Sequence, residues 1–466
     1  MKRLMKLAGV TLAFLAGIQL NAQSFIEEVL KEPIEKAITE SAEVRTQEMQ
    51  GDGTQLDMDI IKGKRLPQLS VSGGYGFLYS QLSPKFPTQY LPISGTPFLE
   101  NPLVSNFQTQ AFLGMLSARQ LIFAGNQINS GIKALEEKQK AERFLAEAGK
   151  EEIAKEVIIT FDQLMLLNEV DKLIEDSEKR LDTEHNKVLK AIENGLAIPY
   201  DRDKIKLAML ELEEKKLEAL GNRNVLLAKL EYLTRMPQTK LQGINYELHT
   251  FLINEMSLNA NNRLELKALE AGKKAQEFAI KKEKGSYFPT IFAFGNLTYL
   301  NAFDTSIKFK DIPIAGDVKL EAERIRIEPA AAVGVGFKWD LFKGGENSKG
   351  VKKAEIELEI SKTKLNDTRE KLELLLYKNK SDFNTAEQKV LVARQRVIIA
   401  KNNLLLATKQ YSAGLVDLTE RLSSENDFYK VNLNYYNQIL NQRNATIDLL
   451  LGTGELLDKI YNGYGN

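Results

Sequence analysis

Cysteine is absent from the 466 residues, and histidine occurs only twice. The lack of thiols excludes disulfides, cysteine nucleophiles, thiolate metal sites and a lipid anchor on cysteine. His185 and His249 have no second residue at the spacing of a metal site or a catalytic triad, so both are interpreted as surface histidines. We therefore predict no cofactor and no metal, and we do not expect an enzyme.

An excess of charge of either sign is also missing. The 63 Lys and Arg residues balance the 63 Asp and Glu residues, and no basic stripe interrupts their mixture along the chain. A nucleic-acid partner is therefore not expected, because such partners require clustered positive charge.

Long apolar runs are missing beyond the amino terminus. A basic start precedes an apolar run over residues 7–20, and Ala22 offers a small residue for cleavage. This pattern predicts a secretory signal peptide over residues 1–22. An amino-terminal membrane anchor is the alternative, but the run is shorter than the ~20 residues that a spanning helix needs. A mature protein that enters a membrane would have to do so as strands.

What the sequence does contain is an internal repeat. Residues 121–131 recur as residues 340–350, with Phe and Gly residues aligned at an offset of 219. The same offset relates Gly195-Leu196 to Gly414-Leu415. The chain is therefore predicted to be a tandem duplication of one structural unit.

Each repeat is predicted to hold a helix, a pair of strands and a long helical hairpin. The first repeat covers residues 23–245, with the strand pair at 67–123 and the hairpin at 126–235. The second covers residues 246–466, with the strand pair at 289–342, the hairpin at 345–451 and a short tail. The first long stretch without proline would extend roughly 100 Å as a helix, which indicates a coiled coil rather than a compact domain.

Strict alternation marks two of the predicted strands. Apolar side chains occupy every second position of residues 69–79 and 331–341, opposite small or polar ones. The length suits the ~9 to 11 residues that a tilted strand needs to cross a bilayer. Aromatic residues stand where a membrane interface would place them, namely Tyr75, Phe77, Tyr79 and Trp339. A soluble sandwich strand shows the same alternation, so the pattern alone leaves both interpretations open.

Three other segments carry weaker signals. Residues 24–63 have helical periodicity, with a possible interruption at residues 51–53, which read Gly-Asp-Gly. The proline-rich residues 81–106 and the charged residues 302–328 are predicted to be loops between paired strands.

Four strands cannot close a barrel, since even a filled barrel needs about eight. Open sheet edges would drive association, and three copies would close a tube. The predicted fold class is an α+β membrane protein. Each chain would contribute four strands to a trimeric transmembrane β-barrel, continued by a long periplasmic α-helical barrel, with a twofold internal repeat.

The ordered set of features resembles the TolC-type outer-membrane efflux factors. It comprises the signal peptide, the repeat, Pro67 and Pro289 before the strands, Phe-x-Gly before each long helix, and Gly-Leu at each helical turn. The resemblance spans essentially the whole mature chain. It implies a homotrimeric channel-tunnel in the outer membrane, in contact with its lipid, with a periplasmic helical extension. Such a duct exports small molecules or proteins for a tripartite efflux or type I secretion system.

The resemblance also implies partners and a gate. An inner-membrane transporter would connect through a periplasmic adaptor, a membrane fusion protein, that contacts the helical tips at Gly195, Leu196, Gly414 and Leu415. The same tips would form the periplasmic gate. The gate residues implied by position are Glu420, Asp201, Tyr411, Arg421 and Arg202.

This sequence departs from the family pattern at two tip positions. Ser423 stands where a second gate acid is usual, and Val416 where some members have an arginine. Arg421 or Arg202 could substitute for that arginine. The alternative is that Glu420, Asp201, Asp203 and Glu425 are solvated acids that favour the positive ends of their helices.

The rival function from another class is a soluble periplasmic coiled-coil adaptor or structural interaction protein. It would share the long helical hairpins. It would not need alternating strands with aromatic ends, so dependence on detergent separates the two hypotheses.

Overall fold

The computed structural model describes residues 26–83, 87–99, 105–251, 253, 259–312 and 316–463. The predicted signal peptide and part of the proline-rich segment lie outside these residues. The chain forms two compact units. One is helical and uses residues up to 53, 138–273 and from 360 onward; the other contains the main sheet and uses residues 54–137 and 274–359.

Helices make up most of the described chain. They are α1 (Lys31–Glu40), α2 (Ala42–Gly63), α3 (Gln127–Glu193), α4 (Pro199–Thr234), α5 (Gln238–Gln242), α6 (Leu264–Lys284), α7 (Glu346–Ser412), α8 (Leu418–Thr453) and α9 (Leu456–Asn462). The strands are β1 (Gln68–Leu82), β2 (Gln89–Tyr90), β3 (Pro97–Leu99), β4 (Ser105–Ala124), β5 (Thr290–Ile312) and β6 (Gly316–Lys338). None of the described helices is both long and apolar enough to cross a bilayer.

The two long hairpins have the same dimensions. Helices α3 and α7 each contain 67 residues, and α4 and α8 each contain 36. Their bounds repeat the offset of 219 seen in the sequence. Proline at the first position opens α4, where a missing N–H costs nothing, and a left-handed Arg235 ends it just before Pro237.

The amino-terminal helix breaks at Ser41 and not at residues 51–53, so the interruption expected there is wrong. Ser41 is extended, and its hydroxyl accepts a hydrogen bond from the Val44 N–H at 3.3 Å, which starts α2 afresh. A helical glycine costs only about 1 kcal/mol relative to alanine. Helix α2 buries Val44 and Met58, and this burial outweighs that cost.

The main sheet is antiparallel with strand order β1-β4-β5-β6. Its register places Val71, Leu116, Leu297 and Ala331 in one row across all four strands. The alternation of β1 and β6 therefore continues through the middle strands and produces one continuous apolar face.

The expectation that residues 302–328 form a loop is wrong. Strands β5 and β6 contain 23 residues each and pair through most of that segment, for example Ile307 with Leu320 and Phe309 with Val318. The ladder satisfies the backbone groups, and β-branched and aromatic residues recur among the charges. Within the proline-rich segment, β2 and β3 also form a short pair, so that segment is not free of regular structure either.

The opposite face of the sheet explains why β5 alternates poorly. Phe292 and Phe294 lie over Gly336 and Gly334 of β6, and a Cβ at Gly336 would come within 2.9 Å of the Phe292 ring. The Arg119 guanidinium covers the Phe292 ring at 4.0 Å. These phenylalanines fill the space that glycines leave, so both faces of β5 carry apolar side chains.

The helical unit is organised around a buried arginine. Arg443 of α8 is 1% exposed, and its Nε donates to Asp162 of α3 at 2.7 Å. Its two terminal nitrogens each donate to Glu27 at 3.0 Å, and one also donates to the His249 carbonyl at 3.0 Å. Its guanidinium lies 3.6 Å from the centre of the Phe251 ring. Burial alone would lower the pKa of Arg443, but Asp162 and Glu27 raise it overall.

We expect Arg443→Leu to destabilise the helical unit by about 3–5 kcal/mol, because it leaves Asp162 buried without its charged partner. Arg369→Leu is the matched control, since Arg369 forms a surface ion pair with Glu270 at 3.2 Å and its loss should cost less than about 1 kcal/mol. Denaturant unfolding of the purified protein measures both. Equal midpoints for the two variants would show that the buried network adds nothing.

A second buried charge predicts a pH dependence. Glu151 of α3 is buried, and burial raises its pKa to about 7 against the opposing charge of Arg263. Because the folded-state pKa lies above the unfolded value near 4.5, its contribution to stability is complete below pH 4.5 and is lost as the pH rises through 7. The effect is at most roughly 3 kcal/mol.

We expect Glu151→Gln to lose this dependence, so its melting temperature should fall less between pH 5 and pH 8 than that of the parent. Glu175→Gln, at an exposed position further along α3, is the control and should follow the parent. Parallel curves for Glu151→Gln and the parent would contradict the assignment.

Candidate functional site

Both helical hairpins end in the same turn. Gly195 and Gly414 adopt positive φ angles of 71° and 72°. The N–H of the leucine after each glycine bonds back to a carbonyl five residues earlier, at 2.7 Å in the first turn and 2.9 Å in the second. This is the Schellman arrangement, which glycine favours because it lacks a Cβ. Leu196 and Leu415 are left 83% and 73% exposed at the two tips.

The acids after the turns start the returning helices. The Asp201 carboxylate accepts a hydrogen bond from the Ile198 N–H at 3.4 Å, and Asp417 accepts one from the Glu420 N–H at 2.9 Å. Both arrangements fit helix-start acids that satisfy free amides. Glu420 is itself exposed and lines a groove between α7 and α8 with Arg396 and other residues. Of the two predicted gate acids, Asp201 therefore uses its carboxylate in a helix cap, whereas Glu420 contributes only its backbone N–H to one.

Tyr411 lies against a small apolar cluster of Val188, Ile205 and Leu418, which joins the two hairpins near their tips. Burial raises the pKa of Tyr411, and the nearby charges of Glu184 and Asp201 add to the effect. The tyrosine and Asp201 are thus close enough to interact electrostatically. No hydrogen bond joins them among the residues that the structure describes.

The two candidate arginines have different surroundings. Arg202 is exposed and donates twice to the adjacent Asp203, at 2.9 and 2.8 Å, within its own hairpin. Arg421 is 2% exposed and lies 3.3 Å from Glu425 on the next turn of α8. A separate link between the hairpins comes from Lys204, whose ammonium donates to the Thr419 hydroxyl at 2.7 Å.

Glu425 joins the two hairpins. Its Oε1 accepts from Arg180 Nε at 2.8 Å and from the Ser177 hydroxyl at 3.2 Å, both on α3. Its other oxygen faces Arg421. The interpretation of Glu425 as a solvated helix-start acid is therefore wrong, since the side chain is buried. Sequence reasoning missed Arg180 and Ser177, because Arg180 and Glu425 are 245 residues apart and share no local pattern.

The network around Glu425 is incompletely paired. Nε and Nη1 of Arg421 and Oε2 of Glu425 are buried without a hydrogen-bond partner. Ion pairs in the interior stabilise only where further hydrogen bonds offset the loss of solvation. The incomplete pairing therefore lies within α8, between Arg421 and Glu425, whereas the link from Glu425 to Arg180 of α3 is hydrogen-bonded.

The aromatic residues predicted for a membrane interface lie on the sheet. Tyr75, Phe77 and Tyr79 are exposed on β1, and the Tyr75 hydroxyl contacts the Gln110 side chain. Trp339 follows the end of β6 and donates its indole N–H to the Tyr287 carbonyl at 3.1 Å. The three aromatic residues of β1 therefore lie towards one end of the apolar face, and Trp339 lies at the other. No group of three or more residues suited to hold a metal occurs in the described part of the chain.

The fold defined by this sheet and these hairpins is that of solved outer-membrane channels. A membrane protein from Pseudomonas aeruginosa matches with a TM-score of 0.72 and 13% identity, over 92% of this chain and 94% of that one. The Campylobacter jejuni CmeC outer membrane channel matches at 0.69 and 13%, over 95% and 88%. The open state of the Neisseria gonorrhoeae MtrE outer membrane channel matches at 0.67 and 14%, over 92% and 89%.

Part of the sequence is also similar to a known family. Residues 257–455 match the family model described as outer membrane efflux protein. None of the curated proteins matches the chain. The resemblance and the α+β fold class predicted from the sequence are confirmed, and the efflux-channel prediction is supported over the soluble adaptor. The matched family is not a family of enzymes.

We expect Glu425→Gln to loosen the contact between the hairpins, because a neutral amide leaves Arg180 and Arg421 facing each other without a carboxylate. Backbone amides of α8 near residue 425 should exchange with deuterium at least tenfold faster, whereas those near residue 443 should not change. Glu420→Gln is the matched control at an exposed site and should leave exchange as in the parent. Unchanged protection in Glu425→Gln would show that the apolar cluster alone holds the tips.

Proposed function

We propose that the protein is an outer-membrane efflux channel, the exit duct of a tripartite efflux or type I secretion system. The observation that carries this proposal is the outer membrane efflux protein match over residues 257–455 in a chain with the fold of outer-membrane channels. The protein works as a passive duct without catalysis. It passes small molecules or proteins that an inner-membrane transporter delivers.

The open sheet supports a homotrimer as the working form. Strands β1 and β6 are the outer strands of the sheet, and among the described residues each is paired on one side only. Unpaired edges attract further strands, and four strands are too few to close a barrel. Pairing of β6 with β1 of the next copy removes every edge when three chains close a ring.

The exposed apolar face supports insertion into a membrane. Val333 is 87% exposed, and Val71, Tyr75 and Phe337 are exposed on the same face. Monomeric soluble proteins seldom leave so large an apolar face uncovered. A soluble adaptor has no use for this face, and outer-membrane lipid covers it.

The hairpin tips support contact with a periplasmic adaptor and a role in gating. Leu196 and Leu415 present apolar side chains at the two turns, where a partner helix buries them. The pairs Arg180–Glu425 and Lys204–Thr419 join the hairpins, and the second of them lies close to the turns. Their release widens the tip, and Glu420, Asp201, Tyr411, Arg421 and Arg202 lie at or beside this region.

Planar-bilayer conductance of the detergent-extracted protein, with its oligomer mass measured in the same preparation, tests the proposal. We expect a trimer with small, cation-selective openings. A water-soluble protein without conductance would return the soluble adaptor as the better hypothesis.

In the same recordings, Glu420→Ala should weaken cation selectivity, because a ring of carboxylates in a narrow pore favours cations. Glu373→Ala removes an exposed acid in the middle of α7 and serves as the control, with selectivity close to that of the parent. An unchanged reversal potential for Glu420→Ala would remove this residue from the gate.

A further inference from the structure

Two arginines lie near the middle of β6, on the apolar face of the sheet. Arg326 pairs in register with Asn301, which pairs with Phe112 and, through it, with Tyr75. Arg324 lies two residues along the same strand and so projects to the same side as Arg326. Both arginines therefore belong to the face that carries Val71 and Val333.

The distance of this pair from Trp339 matches the thickness of a bilayer. Trp339 follows Arg326 by 13 residues, and it comes directly after the last residue of β6. At roughly 3.3 Å per residue this separation is about 40 Å. A strand tilt of roughly 40° reduces this to about 30 Å along the membrane normal, the depth of the hydrocarbon core. Long helices leave the sheet at the Trp339 end. The arginines therefore lie at the opposite membrane surface, in the outer leaflet.

The face between these two levels is apolar. Strand β6 presents Ala331, Val333, Val335 and Phe337 there, and the row of Val71, Leu116 and Leu297 continues across the other strands. Acyl chains are the only solvent that suits such a surface in a membrane. A molecule that contacts both the apolar face and the arginines has acyl chains and a head group at its end.

The charge of the arginines is not neutralised within the described part of the sheet. Arg324 Nε donates to the Asn301 side-chain oxygen at 3.0 Å, and the Arg326 guanidinium lies 5.8 Å from the centre of the Tyr299 ring. Neither arginine has a carboxylate within ion-pair distance among the described side chains. The remaining N–H groups form a fork that matches the oxygens of a phosphate.

We propose that Arg324 and Arg326 bind the phosphate of a lipid head group in the outer leaflet. Tyr75 and Phe77 of β1 flank the head-group level, and the apolar face below them receives the acyl chains. The inference rests on the proposed insertion of the sheet into the outer membrane. It adds a defined lipid site to that function, with the phosphate as the recognised group.

Native mass spectrometry of the detergent-purified protein tests this site with lipid A, a phosphorylated glycolipid, and with its enzymatically dephosphorylated product. We expect the parent protein to retain lipid A and to bind the dephosphorylated product at least tenfold more weakly. Arg324→Gln/Arg326→Gln should reduce lipid A binding to that lower level. Lys338→Gln/Lys343→Gln removes two positive charges at the other end of the sheet and should bind as the parent does.

Two further measurements separate recognition of the lipid from simple attraction between charges. Arg324→Lys/Arg326→Lys keeps the charge and should bind with intermediate affinity, which also covers the case in which the glutamine variant does not fold. Inorganic phosphate at millimolar concentration should not displace the lipid. Displacement by phosphate, equal binding of both lipids, or full binding by the glutamine variant would each overturn the proposal. Conductance is measured separately, so a conducting channel without lipid selectivity would refute this site alone.

Discussion

The buried guanidinium of Arg443 is the interaction on which the helical unit depends. A charge in the interior must be paired, and this one finds partners on segments that are far apart in the chain: Glu27, Asp162 and the His249 carbonyl. Helices as long as α3, with 67 residues, and α8, with 36, could slide along one another by a turn and keep most of their apolar contact. Because only one register pairs all of these groups, the network fixes how α3 and α8 are aligned.

A second buried ion network, around Glu425, also pairs arginine with a carboxylate, but it is less completely hydrogen-bonded. Arg443 donates from every nitrogen to an acceptor, whereas Arg421 leaves Nε and Nη1 unpaired in an equally dry site. A complete network makes a permanent joint, and an incomplete one gains little over its solvated state. The more completely paired network is therefore the one at Arg443, and the less completely paired one lies closer to the tips.

The features that sequence could predict are those set by local rules. Glycine and proline fix the ends of the hairpins, and a period of two marks β1 and β6, so these elements could be placed. Residues 302–328 could not, because their charges suggest a loop while the pairing of β5 with β6 is a long-range event. The burial of Glu425 could not be predicted from the sequence either, since its partner Arg180 comes from the other repeat. Tertiary contact decides both cases, and no local pattern encodes it.

The two copies share their backbone conformation at the helical turns but differ in the contacts of their side chains. The offset of 219 places Arg421 opposite Arg202 and Glu425 opposite Lys206 in the first copy. Both copies form the same turn, yet Arg202 pairs in solvent with Asp203 while Arg421 is buried beside Glu425. Glu425 contacts Arg180 of α3 and Arg421 of α8. This arrangement needs an acid at position 425, where the first copy carries the opposite charge, Lys206. The equal turns therefore maintain the shape of the tip, and the Arg180–Glu425 contact between the hairpins arises where the two copies differ.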